Sequence, residues 1–89
     1  MIKLVWGSSF KRAYKKKIKT DNPVKEKFQK LIKIFEKDPF NPLLKTHKLS
    51  GTLSGHWAFV VEYDCRVVFR FEGKNEVLLV DIGSHDEVY

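Results

Sequence analysis

Eighty-nine residues set out one domain (1–89) with a thin core, and 43% hydrophobic with 13% aromatic content excludes a disordered chain. No apolar run approaches the roughly 20 residues that a bilayer-spanning helix needs. The N-terminus lacks the layout of a secretion signal, and the one cysteine, Cys65, excludes an internal disulfide or a cysteine-rich metal site. These features predict a protein of the reducing cytoplasm with no membrane partner. Residues 1–37 carry 12 Lys/Arg against 3 Asp/Glu, a net of +9, whereas residues 38–89 carry 5 against 8, a net of −3, for +6 overall. Such a basic half fits a polyanionic partner, nucleic acid foremost, or simply a solvated helical surface.

In chain order, IKLVW (2–6) is rich in β-formers and stops at Gly7, which predicts a short strand. The serines that follow offer a cap for a first helix, in which Phe10, Tyr14 and Ile18 fall on one face. Lys11, Arg12, Lys15, Lys16, Lys17 and Lys19 fill the rest of it. TDNP breaks that helix and starts the next, with Asn22 expected as cap and Pro23 at the first helical position. A second helix is predicted from about 23 to 37, because Val24, Phe28, Leu31, Ile32 and Phe35 keep a helical period. Residues 38–55 form a connector rich in proline and glycine, and LLKTHKL within it predicts a brief edge strand. Three clearer strands follow, 56–63, 66–73 and 76–83, with tight turns expected at Asp64–Cys65 and at KNE. The fold class is therefore α+β. Two helices pack on one face of a curled, mainly antiparallel sheet of four to five strands, in the order β-α-α-β-β-β-β.

His47, His56 and His85 show no metal-ligand spacing, so neither a metal nor another cofactor is expected. Cys65 falls at a predicted hairpin turn, where an unpaired cysteine is usually structural. RNA, however, can be cleaved without a metal when its own 2′-hydroxyl attacks the adjacent phosphate. That chemistry needs a base, an acid for the leaving 5′-oxygen and a cation for the phosphoryl charge. Histidine suits the first two roles and arginine the third. His85 follows the last predicted strand, where a lone histidine is often incidental. His47 lies in the connector and reads equally well as a solvated loop residue. Arg66 opens the alternating strand RVVFRF and shares a face with Val68 and Arg70. Asp64 suits its turn for turn-forming reasons alone. Trp57, Phe59 and Tyr63 read as core rather than as a stacking surface for bases.

Taken together, the segments KLSGTLSGHWAFVVEYDCRVVFRF and VLLVDIGSHDEVY resemble the C-terminal half of the RelE/ParE superfamily of bacterial type II toxins. The similarity is to the RelE, YoeB and YafQ-like branch. It is carried by L-x-G-x-L-x-G-x-W at 49–57, by the arginine heading RVVF, and by the terminal IG-x-H…Y. The resemblance implies an mRNA interferase, a metal-free endoribonuclease acting on messenger RNA at the ribosome and neutralised by a cognate antitoxin protein. It places His85 at the leaving group, Arg66 on the scissile phosphate and Tyr89 against a substrate base. His47 becomes a candidate base, and Asp64 a residue that orients a histidine or shares the base role. Lys11, Arg12, Lys15 and Lys16 would contact messenger and ribosomal RNA. Two departures stand out: the strand lysine pair of RelE is missing, and Val60 replaces a strand histidine of YafQ-like members. A ParE-like inhibitor of DNA gyrase and an inactive member that only binds its antitoxin are the alternative readings.

Overall fold

A computed structural model describes all residues, 1–89. The chain forms β1 (Lys3–Trp6), α1 (Ser8–Lys17), α2 (Asn22–Lys37), β2 (His47–Lys48), β3 (Trp57–Glu62), β4 (Cys65–Gly73), β5 (Glu76–Gly83) and α3 (His85–Val88). Short 3-10 turns at Pro42–Leu44 and Gly51–Leu53 punctuate the connector. The five strands make one sheet in the order β1-β5-β4-β3-β2. β1 runs parallel to β5, and every other neighbouring pair is antiparallel. The α+β reading holds, including a two-residue edge strand inside LLKTHKL.

The long helices cover one sheet face through rings rather than aliphatic chains. Phe35 of α2 meets Phe59 of β3 and Phe69 of β4 at centroid separations of 5.1 and 4.8 Å. Trp6 of β1 meets Phe10 and Tyr14 of α1 and Phe28 of α2 edge-on, at 4.9, 5.1 and 5.9 Å. Edge-to-face pairs of this kind add about 0.5–1.5 kcal/mol each beyond area burial. Phe10, Phe28, Phe35, Phe59 and Phe69 are all essentially inaccessible to solvent. The core is therefore the layer between α1/α2 and the inner face of β3–β5.

Several local expectations change. Gly7 rather than a serine caps α1, with no side-chain hydrogen bond. Asp21 rather than Asn22 caps α2, because its carboxylate accepts the Val24 N–H at 3.3 Å. The β3–β4 turn falls at Tyr63–Asp64, so Cys65 begins β4 and is buried, while Tyr63 is 93% exposed instead of in the core. The last residues, expected as a loop, form α3.

Gly7 is required by space and not by backbone torsion. A Cβ there would lie 2.8 Å from the Leu79 carbonyl oxygen, and the Gly7 N–H donates to that same oxygen at 3.0 Å. The obstacle is backbone of a central strand and cannot swing aside. Gly7→Ala is expected to destabilise the fold by about 1–3 kcal/mol, read as a lower urea midpoint with unchanged slope. An unaltered midpoint would show that β1 and β5 part easily.

Candidate active site

The outer sheet face, turned away from α1 and α2, is set by register, because directly paired residues share a face. One row across the sheet runs His47, Ala58, Val68, Asp81; the next runs Val60, Arg66, Gly83. Ala58 and Val68 are buried although they stand apart from the main core cluster, and so does Val88 of α3. α3 packs on β4 and β5, and Tyr89 at its end reaches His47 on the outer row.

That helix starts at Ser84. Its hydroxyl accepts the Glu87 N–H at 3.3 Å, and the Glu87 carboxylate accepts the Ser84 N–H at 2.9 Å, a reciprocal capping box. The other carboxylate oxygen lies 3.0 Å from Lys17 Nζ of α1. The backbone N–H of Ser84 first, then Lys17, hold the Glu87 carboxyl down at about 2. His85 and Tyr89 are thereby presented from a helix one turn long.

Tyr89 is the meeting point. His47 Nδ1 lies 2.9 Å from the Lys45 carbonyl, which can only accept, so Nδ1 carries the proton of the neutral ring. Its Nε2 is then the bare nitrogen, and it accepts the Tyr89 phenol O–H at 3.1 Å. Lys45 adopts a left-handed conformation (φ 52°), which turns its carbonyl toward the imidazole two residues on. On the other side of the phenol ring, His85 packs edge-on at 4.5 Å between centroids. Tyr89 is partly covered, and burial raises its pKa, while the nearby charge of Arg66 opposes that rise.

The two arginines on the outer face of β4 behave differently. Arg70 is held by Glu72 through two hydrogen bonds, at 3.0 and 3.1 Å. Arg66 has no carboxylate partner, and its buried Nη1 has no hydrogen-bond acceptor in the protein. Asp64, in the β3–β4 turn, lines a separate hollow with Lys17, Glu62, Cys65, Ser84 and Glu87, and hydrogen-bonds to no histidine. Lys11, Arg12, Lys15 and Lys16 are exposed along α1. Thus His47, His85, Arg66 and Tyr89 come together, and Asp64 does not join them. Burial first, then the nearby acids led by Glu62, push the Cys65 thiol up to about 11, which suits a structural residue. No group of three or more His, Cys, Asp or Glu side chains is placed to hold a metal ion.

Sequence reasoning missed Ser84, Glu87 and Lys17. The S-x-x-E spacing of residues 84–87 was the available signal for the first two. Nothing local identified Lys17 among its neighbouring lysines.

Two titrations check this geometry. Replacing the cation in Arg66→Gln is expected to move the Tyr89 phenol further upward, as read by ultraviolet difference titration; no movement would place Arg66 away from the ring. By NMR the Glu87 carboxyl is expected to titrate near its depressed value of about 2. Its folded pKa lies below the ordinary carboxylate value, so its contribution is full above about pH 4.5 and fades as the pH falls toward 2. A midpoint near 4.5 would mean that the capping box and ion pair are absent in solution.

A family model described as "bacterial toxin of type II toxin–antitoxin system, YafQ" matches residues 2–89. The toxin RelK of Mycobacterium tuberculosis is 31% identical over 65 residues, which cover 73% of this chain and 75% of that protein. Among solved structures, the YoeB/ParE toxin from Agrobacterium tumefaciens superposes with a TM-score of 0.80 at 29% identity, covering 94% of this chain and 99% of that one. YoeB from Staphylococcus aureus, solved in complex with YefM, shares the fold at a TM-score of 0.76 and 16% identity, covering 96% and 98%.

Proposed function

The chain belongs to the YafQ family of bacterial type II toxin–antitoxin toxins, and we propose that it is a ribosome-dependent endoribonuclease that cuts messenger RNA without a metal. The observation that supports this reading is Arg66 itself, half-buried, with no carboxylate partner and with one guanidinium nitrogen, Nη1, buried and unpaired, near a tyrosine that contacts two imidazoles. A buried donor with no acceptor costs free energy in the free protein. A phosphodiester oxygen is the acceptor whose geometry and charge suit a guanidinium best.

In the proposed reaction the 2′-hydroxyl of the substrate displaces the Tyr89 phenol from His47 Nε2 and gives up its proton there. The 2′-oxygen bonds to phosphorus as the bond to the 5′-oxygen breaks. His85, protonated, delivers a proton to that leaving oxygen, and Arg66 carries the charge that builds on the non-bridging oxygens. The products are a 2′,3′-cyclic phosphate and a 5′-hydroxyl end. Tyr89, freed from His47, offers its ring to a neighbouring base. Lys11, Arg12, Lys15 and Lys16 contact the backbone of messenger and ribosomal RNA, and such contacts are salt-sensitive. Asp64 takes part only if substrate binding brings its turn toward a histidine.

By analogy with the Staphylococcus aureus YoeB–YefM complex, the neutralising partner is a cognate antitoxin with an acidic segment. Its association with the exposed lysines of α1 and α2 is fast and weakened by salt. The site of action is the cytoplasm, where ribosomes and transcripts are; no helix of the protein is long and apolar enough to cross a membrane.

His85→Ala, His47→Ala and Arg66→Ala are each expected to lower the cleavage rate by about 10²–10⁴-fold while the protein stays folded. The measurements are primer-extension mapping of transcript ends after brief expression, and growth. Full toxicity of His85→Ala removes that residue from the mechanism. Growth arrest with DNA damage and intact transcripts replaces the nuclease with a gyrase inhibitor.

A further inference from the structure

We propose that Lys17 and Glu87 are positioning residues: their ion pair ties the C-terminal helix to α1 and fixes where the His85 and Tyr89 rings sit. The inference rests on the nuclease reading for its catalytic consequence, and on geometry alone for its structural half. Four residues are far below the roughly 12–15 at which a helix holds itself in water. α3 therefore depends on its attachments. Val88 buries one side chain, and the capping box is internal to residues 84–87. Neither links α3 to a long helix, and the Tyr89–His47 hydrogen bond ties its last residue only to the two-residue edge strand β2. Lys17 Nζ, 3.0 Å from Glu87 Oε2, is the side-chain link from α3 to a long helix.

The residue beneath the pair supports this. Gly83 is buried, and its φ is not in the left-handed region, which is occupied among the glycines by Gly51 and Gly55 alone. Torsion therefore does not explain a glycine there. The pair packs directly on it: a Cβ on residue 83 would lie 2.9 Å from Glu87 Oε1 and 3.0 Å from Lys17 Nζ, both the far ends of flexible side chains. The end of β5 is left bare where the ion pair closes over it. The flanking acids agree with a specific pairing. Asp86, the neighbour of Glu87, points to solvent and approaches only His85, at 3.6 Å. Lys15 and Lys16 are exposed and form no ion pair, whereas Lys17 is half-buried. A partly exposed pair like this adds little to global stability, so its effect belongs in the geometry of the rings and not in the melting temperature.

The test uses the full chain with Glu87→Gln, which keeps the capping hydrogen bonds without the charge; Lys17→Met, which keeps the stem; and Lys17→Arg, which restores the cation. The readouts are kcat and KM on ribosome-bound messenger RNA, and the nuclear Overhauser contact between the His85 and Tyr89 rings. Glu87→Gln and Lys17→Met are expected to lose the ring contact and about tenfold or more in kcat, with KM and the melting temperature nearly unchanged, while Lys17→Arg keeps both. A loss in KM confined to Lys17→Met, with Glu87→Gln fully active, would overturn the proposal and make Lys17 an RNA ligand. Intact ring contacts in Glu87→Gln and Lys17→Met would also overturn it. If the wild type itself cleaves no messenger RNA, the nuclease reading falls, and loss of the ring contact in the variants still sustains the positional claim.

Discussion

The packing of α3 on β4 and β5, with Val88 buried, is the constraint from which the candidate site takes its shape. The two long helices place their aromatic faces on the inner side of the sheet, where Phe10 and Phe28 meet Trp6 and Phe35 meets Phe59 and Phe69. On the outer side of β3–β5, the residues that follow β5 pack on β4 and β5. A capping box turns them at once into a helix, and one valine of it is buried. The rest of the helix is free to carry polar and aromatic groups. A short cover thus becomes a platform for His85 and Tyr89 over the row that holds Arg66.

Charge acts on two length scales in this protein. The lysines of α1 and α2 are mostly exposed and unpaired, so they contribute a broad positive field that attracts a polyanion from a distance and is screened within about 10 Å at ordinary ionic strength. Arg66 acts at contact range. Its neighbour on the same face, Arg70, is already satisfied by a fork of hydrogen bonds to Glu72. Equal residue types on one strand are thus set apart by whether the protein supplies their acceptor. The broad field does not select a chemistry; the unsatisfied guanidinium narrows the choice to ligands with strong oxygen acceptors.

Most of the architecture was legible from periodicity. The Phe10–Tyr14–Ile18 and Val24–Phe28–Leu31–Phe35 spacings set both long helices, and alternation set the three long strands. The parallel pairing of β1 with β5 was not legible, because a four-residue strand carries no record of its partner. Tyr63 was misplaced because alternation was extended one residue too far; a bulge between Val60 and Glu62 ends the regular pairing, and the chain turns there. At the site, His47, Arg66, His85 and Tyr89 carried signals through their chemical type and their motifs. Lys17 did not, since its distinction from Lys15 and Lys16 is a matter of which one reaches Glu87. Asp64 shows the converse case. It looked chemical in the sequence, and the fold leaves it in a turn without a histidine partner.

The hydrogen bond between Tyr89 and His47 explains how such a site stays ordered without substrate. A bare imidazole nitrogen and a partly covered phenol each need a partner, and here each supplies the other's. Giving up one neutral hydrogen bond costs only about 1 kcal/mol net, so an incoming hydroxyl can replace the phenol with little penalty. The group that must yield is the phenol of Tyr89 alone, on the residue after the single turn of α3 that Glu87 ties to Lys17. The proposed base is kept in its proton-accepting tautomer by the Lys45 carbonyl throughout, because that bond does not involve the phenol that is displaced. Substrate entry then rearranges one phenol, and the acceptor nitrogen, the guanidinium and the sheet beneath them stay where the fold put them.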